Sequence, residues 1–175
     1  PDGNTEGFVY ARDVGGGEFF QLFYYDWQNG GSRLLTDGRS RYSGVVWANG
    51  ADRIAYSTTE RNGHNWDIHM QDLVGNRSVL LETDSGAWSA VDFAPGDERV
   101  LLLQYLSINE SRAYELDIET GALRPLLDPS IKAAIGQLRY SGDGEGVYFT
   151  SDVGAEFCHL GQEDFFDTGL KHVSQ

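Results

Sequence analysis

Asn49-Gly50-Ala51-Asp52 before Ile54-Ala55-Tyr56, and Pro95-Gly96-Asp97-Glu98 before Val100-Leu101-Leu102, are the stretches on which the fold turns. In both, a polar turn launches a short apolar strand. The pairing opens the chain, with Pro1-Asp2-Gly3 ahead of Phe8-Val9-Tyr10, and returns as Gly142-Asp143-Gly144-Glu145 ahead of Val147-Tyr148-Phe149. Tyr10, Tyr56, Leu102 and Tyr148 lie at successive steps of 46, and so do Leu35, Leu81, Leu127 and Val173. Gly50, Gly96 and Gly142 keep the step. Asp26, Asp72 and Asp164 fit it with one copy skipped, and in that copy the acid sits one place off, at Asp117. A phase shared by several residue types marks an internal repeat.

Each copy continues in the same way. A polar hairpin leads into a strand ending in acid: Leu22–Asp26, Trp66–Asp72, Ala113–Asp117 and Cys158–Asp164. A glycine turn then opens Arg33–Leu35, Ser78–Leu81, Leu123–Leu127 and Leu170–Val173. A loop returns the chain to an aromatic-ended strand, Val45–Trp47, Ala90–Phe93 or Leu138–Tyr140. Short strands at this spacing, with turn residues between, indicate an all-β fold, and the 46-residue period selects four-stranded propeller blades. The prediction is a partial β-propeller of about four blades, near 1–38, 39–84, 85–130 and 131–175, forming a single domain. The first copy lacks its opening strand, so it contributes three strands and the others four each; this reads as part of a larger ring. Helix is expected only as one short turn from Asp128-Pro129 to about Ile135, with Asp as N-cap and Pro at the first helical position.

Composition narrows the partners. The chain has 27 acidic and 13 basic side chains, a net charge of −14, which repels nucleic acid phosphates and anionic membranes. The longest aliphatic run, Val100–Leu103, is far short of the ~20 residues of a membrane helix. The sequence leaves the compartment open. The single cysteine, Cys158, has no internal partner and reads as a buried, inert thiol on a strand.

Gly16-Gly17-Glu18-Phe19-Phe20-Gln21-Leu22, Leu34-Leu35-Thr36-Asp37-Gly38, Tyr105-Leu106-Ser107-Ile108-Asn109-Glu110-Ser111, and Thr150-Ser151-Asp152 leading to Glu156-Phe157 carry a resemblance. With the repeats themselves, which resemble those of TolB-like propellers, they are similar to the N-terminal propeller of bacterial prolyl oligopeptidase family serine peptidases. The resemblance implies a C-terminal α/β-hydrolase domain as partner in the parent chain, a Ser-Asp-His triad in that domain, and a propeller that restricts access of large peptide substrates. None of the triad can be placed here. A nucleophile elbow needs Gly-x-Ser-x-Gly on a strand-to-helix turn. Gly38-Arg39-Ser40-Arg41-Tyr42 and Gly30-Gly31-Ser32-Arg33-Leu34 both lack the last glycine. A TolB-like protein-binding propeller with no attached enzyme is the alternative, and a lyase-type propeller the third reading.

No catalytic residue, cofactor or metal site is predicted. His64, His69, His159 and His172 form no zinc motif, and Asp143-Gly144-Glu145-Gly146 is too short for a calcium loop. Glu18, His64, Glu110 and Glu156 are each 46 apart and fall between the second and third strands of their copies. In a propeller they form an arc on one face, where three carboxylates could hold a substrate ammonium group or an arginine. The plainer reading is that each closes its own hairpin or pins the next blade. The open ends of the arc also lead us to expect self-association.

Overall fold

The computed structural model describes residues 6–13, 15–154, 158–164 and 171–172. The first sheet holds β1 (Gly7–Asp13), β2 (Phe20–Asp26) and β3 (Gly31–Leu34). The second holds β4 (Tyr42–Trp47), β5 (Arg53–Thr58), β6 (Asp67–Asp72) and β7 (Arg77–Leu81). The third holds β8 (Ala87–Phe93), β9 (Arg99–Ser107), β10 (Glu110–Asp117) and β11 (Leu123–Pro125). The fourth holds β12 (Ile135–Tyr140), β13 (Gly146–Ser151), β14 (His159–Asp164) and β15 (Lys171–His172). All neighbours in a sheet are consecutive and antiparallel. This is a partial β-propeller, and no helix occurs among the described residues.

The sheets pack face to face because their middle strands are apolar on both sides. On β5, Ile54 and Tyr56 turn toward the first sheet and pack with Leu22, Tyr24, Leu35 and Tyr42. Ala55 turns the other way and joins Ile68, Trp88, Phe93 and Leu102 between the second and third sheets. Leu101 then faces the fourth sheet with Leu138, Tyr140, Val147 and Phe149. Each fully buried aliphatic side chain contributes roughly 1.5–3 kcal/mol.

The period is not uniform. The turn before each middle strand is closed by a backbone hydrogen bond from Ala48 to Arg53, from Ala94 to Arg99 and from Ser141 to Gly146, so the steps are 46 and then 47. In all three turns one residue is left-handed: Ala51 (φ 56°), Asp97 (φ 62°) and Gly144 (φ 74°). The shared conformation therefore falls on these residues and not on the 46-spaced glycines. One residue of slip in a strand moves every side chain to the opposite face. The counterpart of Leu102 is thus Phe149, 3% exposed, while Tyr148, which a uniform 46-residue step makes that counterpart, is 39% exposed.

Two further expectations fail. Asp128 to Ile131 form a single turn, with Ile131 N–H donating to the Asp128 carbonyl at 3.0 Å, and the chain does not continue as helix. The neighbouring strand takes the backbone groups instead: Ser111 N–H donates to Ala133, and Ile135 N–H donates to Ser111 Oγ at 2.6 Å. Cys158 is exposed and precedes β14, because that strand begins one residue later.

The slip generates a prediction. Phe149→Ala should lower unfolding free energy by about 3–5 kcal/mol. Tyr148→Ala should change it by less than about 1 kcal/mol. Urea denaturation of the two variants checks this, and equal losses would contradict the 47-residue step.

Candidate binding groove and hairpin face

Antiparallel order gives the arc two faces. One carries the turns leading into β5, β9 and β13 together with the turns after β2, β6 and β10. The other carries the hairpins between β1 and β2, β5 and β6, and β9 and β10, plus the crossovers between sheets.

On the first face, the strand-ending acids of the sequence repeat fold back over their own turns. Asp26 Oδ1 accepts from Gln28 N–H at 2.8 Å, Asp72 Oδ1 from Gly75 N–H at 2.7 Å, and Asp117 Oδ1 from Thr120 N–H at 2.8 Å. Asp97 instead reaches the preceding sheet. Its two carboxylate oxygens accept from the N–H groups of Asn49 and Gly50, both at 2.7 Å. Arg53 returns the contact, donating to the Asp97 carbonyl at 3.1 Å, and Arg99 makes the corresponding approach to the Gly144 carbonyl at 3.5 Å. At that next junction Pro95 lies where a Cβ on Gly144 would come within 3.0 Å, so the left-handed residue there is glycine.

On the hairpin face, a buried polar side chain near the start of β2, β6 and β10 holds the crossover. Gln21 Oε1 accepts from Gly38 N–H at 2.9 Å, and its amide donates to the Ser40 carbonyl at 2.7 Å. Asp67, fully buried, accepts from Thr83 N–H at 2.8 Å and from both arms of Arg61 at 2.7 and 3.0 Å. Ser111 bridges both backbone groups of Ile135. Burial raises the Asp67 carboxyl, but Arg61 and the Thr83 N–H outweigh it and hold the group below the usual range. Asp37 is likewise raised by burial and brought well below that range by the Ser40 hydroxyl and N–H. Between the third and fourth sheets, buried Glu115 accepts from Arg99 at 2.9 Å, Arg124 at 3.0 Å and the Tyr140 hydroxyl at 3.0 Å. Burial, then Glu115, pushes that phenol above its ordinary value. These clusters are saturated with partners and tie sheets together.

The proposed arc is distributed as follows. Glu18 is exposed in the loop between β1 and β2, at φ 57°. His64 is exposed in the loop between β5 and β6, its N–H donating to Asn62 Oδ1 at 3.0 Å. Glu110 is the first residue of β10, half-buried and paired with Arg112 at 3.3 Å. Glu156 lies outside the described residues. Equal spacing does not give equal placement, because the β9–β10 hairpin closes over two residues while the β1–β2 and β5–β6 loops are longer. Among the described residues no three histidine, cysteine or carboxylate side chains converge to hold a metal ion.

The inner strands β4, β8 and β12 wall an open groove of about 320 Å³ along the axis. Small and aliphatic groups dominate it: Gly44, Val46, Ala90 and Val91, then Gln137 and Arg139. Arg139 is tied to Asp92 at 3.2 Å and to the Val91 carbonyl at 2.6 Å. Each inner strand is bulged at a matching place, between Ser43 and Val46, Ala90 and Asp92, and Ile135 and Leu138. Sequence reasoning missed both the groove and the inter-sheet clasp. The 46-residue spacings of Arg53 with Arg99 and of Gln21 with Asp67 carried the signal.

No family model matches the chain. Solved structures do. TolB from Acinetobacter baumannii superposes with a TM-score of 0.74 at 23% identity, covering 97% of this chain and 41% of that one. The chain has the fold of a TolB-like propeller. An oligogalacturonate lyase from Vibrio parahaemolyticus gives a TM-score of 0.70 at 16% identity, over 97% of this chain and 49% of the other. A puromycin-hydrolyzing peptidase of Mycobacterium tuberculosis gives 0.69 at 14% identity, over 95% of this chain and 30% of the peptidase. The chain thus spans between about a third and a half of the length of these proteins.

The buried groups predict an acid response. His69, facing the Tyr56 ring at 6.0 Å, is held below its ordinary pKa chiefly by burial. Its unfolded form protonates first, so stability is lost as pH falls below about 6.5. Asp37 and Asp67 are depressed in the folded state, so their contribution is complete above about pH 4 and lost below it. Thermal melts from pH 8 to 3 should fall in these two stages. His69→Gln should remove the first stage and leave the second.

Proposed function

We propose that this chain is a non-catalytic propeller segment that filters peptide substrates for a serine peptidase of the prolyl oligopeptidase type. The observation that carries the reading is the axial groove. Its volume of about 320 Å³ is at the small end of ligand pockets, which run ~300–1,000 Å³. An extended peptide can lie along such a groove. The four resembling sequence stretches and the fold likeness to a puromycin-hydrolyzing peptidase support the same assignment. In this reading the hydrolase domain supplies the triad and the propeller supplies walls.

The walls must be stiff for a filter to discriminate, and the clasp of Asp97 on Asn49 and Gly50 provides that stiffness. The native protein should be labelled by a fluorophosphonate, whereas residues 1–175 expressed alone should not be. In the native enzyme, Asp97→Ala should raise cleavage of long peptides relative to short ones several-fold. An unchanged length preference would remove the filter from the account.

A second reading rests on the likeness to TolB: a protein-binding propeller with no enzyme attached. A native protein that ignores the fluorophosphonate and is recovered with a protein partner would favour it.

Within this proposal the carboxylates of Glu18, Glu110 and Glu156 are separate contacts for a peptide's cationic end. Substituting Glu18, Glu110 and Glu156 by Gln in the native protein should weaken binding of peptides with a free amino terminus or arginine, with little change in melting temperature. A fall in stability of about 1 kcal/mol per site without selective loss of binding would assign these residues to their hairpins.

A further inference from the structure

Val46, Asp92 and Arg139 hold the same place on the inner strands β4, β8 and β12, opposite Ala55, Leu101 and Tyr148. The next residue is aromatic in each: Trp47, Phe93 and Tyr140. Between the third and fourth sheets this place makes a complete polar junction. Asp92 Oδ2 accepts from Tyr140 N–H at 3.0 Å, while Arg139 Nη1 donates back to the Val91 carbonyl at 2.6 Å and to Asp92 Oδ1 at 3.2 Å. Between the second and third sheets the junction is incomplete. Val46 stands in the place of Asp92, so among the described residues no carboxylate meets Phe93 N–H, the counterpart of Tyr140 N–H. That N–H turns away from its own sheet. Ala94 N–H donates to the Arg99 carbonyl at 2.9 Å, which makes the neighbouring pair, Phe93 with Val100, a non-hydrogen-bonded one. The bond from Ser141 N–H to the Gly146 carbonyl turns Tyr140 N–H in the same way. The Val45 carbonyl, counterpart of that of Val91, has Asp92 where Val91 has Arg139, and a carboxylate does not donate. Both sheets at this junction are covered on their other faces, by the first and fourth sheets, so the gap is internal to the arc.

We propose that the axial groove binds an extended peptide through a carboxylate, which takes Phe93 N–H as Asp92 takes Tyr140 N–H. The inference rests on the peptide-binding reading of the groove and names the chemistry of what it holds. Val46 and Val91, beside the open position, line the groove, and Arg139 alone is charged among the described residues that line it. Both bonds of Arg139 leave from Nη1, so its Nε and Nη2 have no partner among the described residues. It is anchored on Val91, two residues before Phe93 on the same strand. In a chain of net charge −14, a cation at this place favours an anionic group, and a guanidinium fork matches a carboxylate. The Val45 carbonyl remains for an amide N–H, which a peptide carries and a simple anion lacks.

The probes are three fluorescent alanine pentapeptides: one with a free carboxyl terminus, one amidated, and one amidated with an internal aspartate. They are compared by anisotropy on the native protein after fluorophosphonate treatment, which prevents cleavage. The free acid should bind at least about tenfold tighter than the plain amide. Recovery of affinity by the aspartate peptide extends the site to side-chain carboxylates, and its failure confines the site to the chain terminus; both agree with the proposal. Arg139→Gln should remove the preference for the acid, and Arg139→Lys should keep part of it. Val46→Asp, which gives the second sheet the carboxylate of the third, should weaken binding of the acid at least about tenfold. Hydrogen exchange at the Phe93 amide should slow on binding. Melting temperatures identify a variant that misfolds, and if Val46→Asp does so, Arg139→Gln decides. Equal binding of acid and amide, no saturable binding of the acid, or a preference unchanged in Arg139→Gln overturns the proposal. The peptidase reading is scored separately by the fluorophosphonate label. A labelled protein indifferent to the carboxylate refutes this inference and leaves that reading standing, and carboxylate-dependent binding by an unlabelled protein does the reverse.

Discussion

A propeller sheet cannot stand by itself, and that constraint organises this molecule. The alternation of a β-strand normally separates a buried face from a wet one. On β5 and β9 both faces are buried, so adjacent residues serve different interfaces. Ile54 and Tyr56 belong to one core, Ala55 to the next, and Leu101 and Leu102 are divided in the same way. Every interface thus depends on the register of a strand whose other face is committed to a second interface. A shift tolerated in a one-sided sheet would here disrupt two cores at once.

Register is accordingly pinned by polar contacts at both ends of the interfaces between the second and third sheets and between the third and fourth. At the turn face, Asp97 gathers the N–H groups of Asn49 and Gly50 while Arg53 and Arg99 reach the carbonyls of the following turn. At the hairpin face, Gln21, Asp67 and Ser111 hold the crossovers. Burying a carboxylate such as Asp67 is costly unless every oxygen is satisfied, and its bidentate arginine and backbone donor meet that requirement. Apolar burial drives the sheets together, and these directional contacts select one alignment among the many that apolar surfaces permit.

Much of this was legible in the sequence. The strands, their grouping into one sheet of three and three of four, and the acids that end a strand in each copy all followed from the repeat, whereas the folding of Asp26, Asp72 and Asp117 over their turns did not. The fine phase was not legible, because a turn of Gly142-Asp143-Gly144-Glu145 offers two glycines and only the left-handed one marks the position. A 46-residue step runs through Gly142 and leads to Tyr148, which lies on the exposed face. The arc of Glu18, His64 and Glu110 failed to acquire equivalent placement for a related reason. Spacing fixes residues within strands, but a hairpin absorbs length freely, and the tight β9–β10 turn carries Glu110 into the ladder. The segment after Asp128 is a turn and not a helix because Asp-Pro caps either, and the partners that decide between them, Ser111 and Asp152, are distant in sequence.

The inner strands bring these threads together. They are the shared wall of the axial groove, and each is bulged where it passes the axis. A bulge bends its strand and increases the local twist. It lets a strand curve around an axis while its ends stay in register with the middle strand. Gly44 shows the cost in sequence: it sits at φ 61° within the β4 bulge, with Ser57 and Ser89 3.5 Å from where a Cβ would project. A larger side chain there would strain the backbone and narrow the space between β4 and β8. The width of the groove is therefore set by small residues at the bulges and kept by the clasps outside them. The space along the axis is thus a property of the backbone, fixed by how closely three bulged strands approach one another.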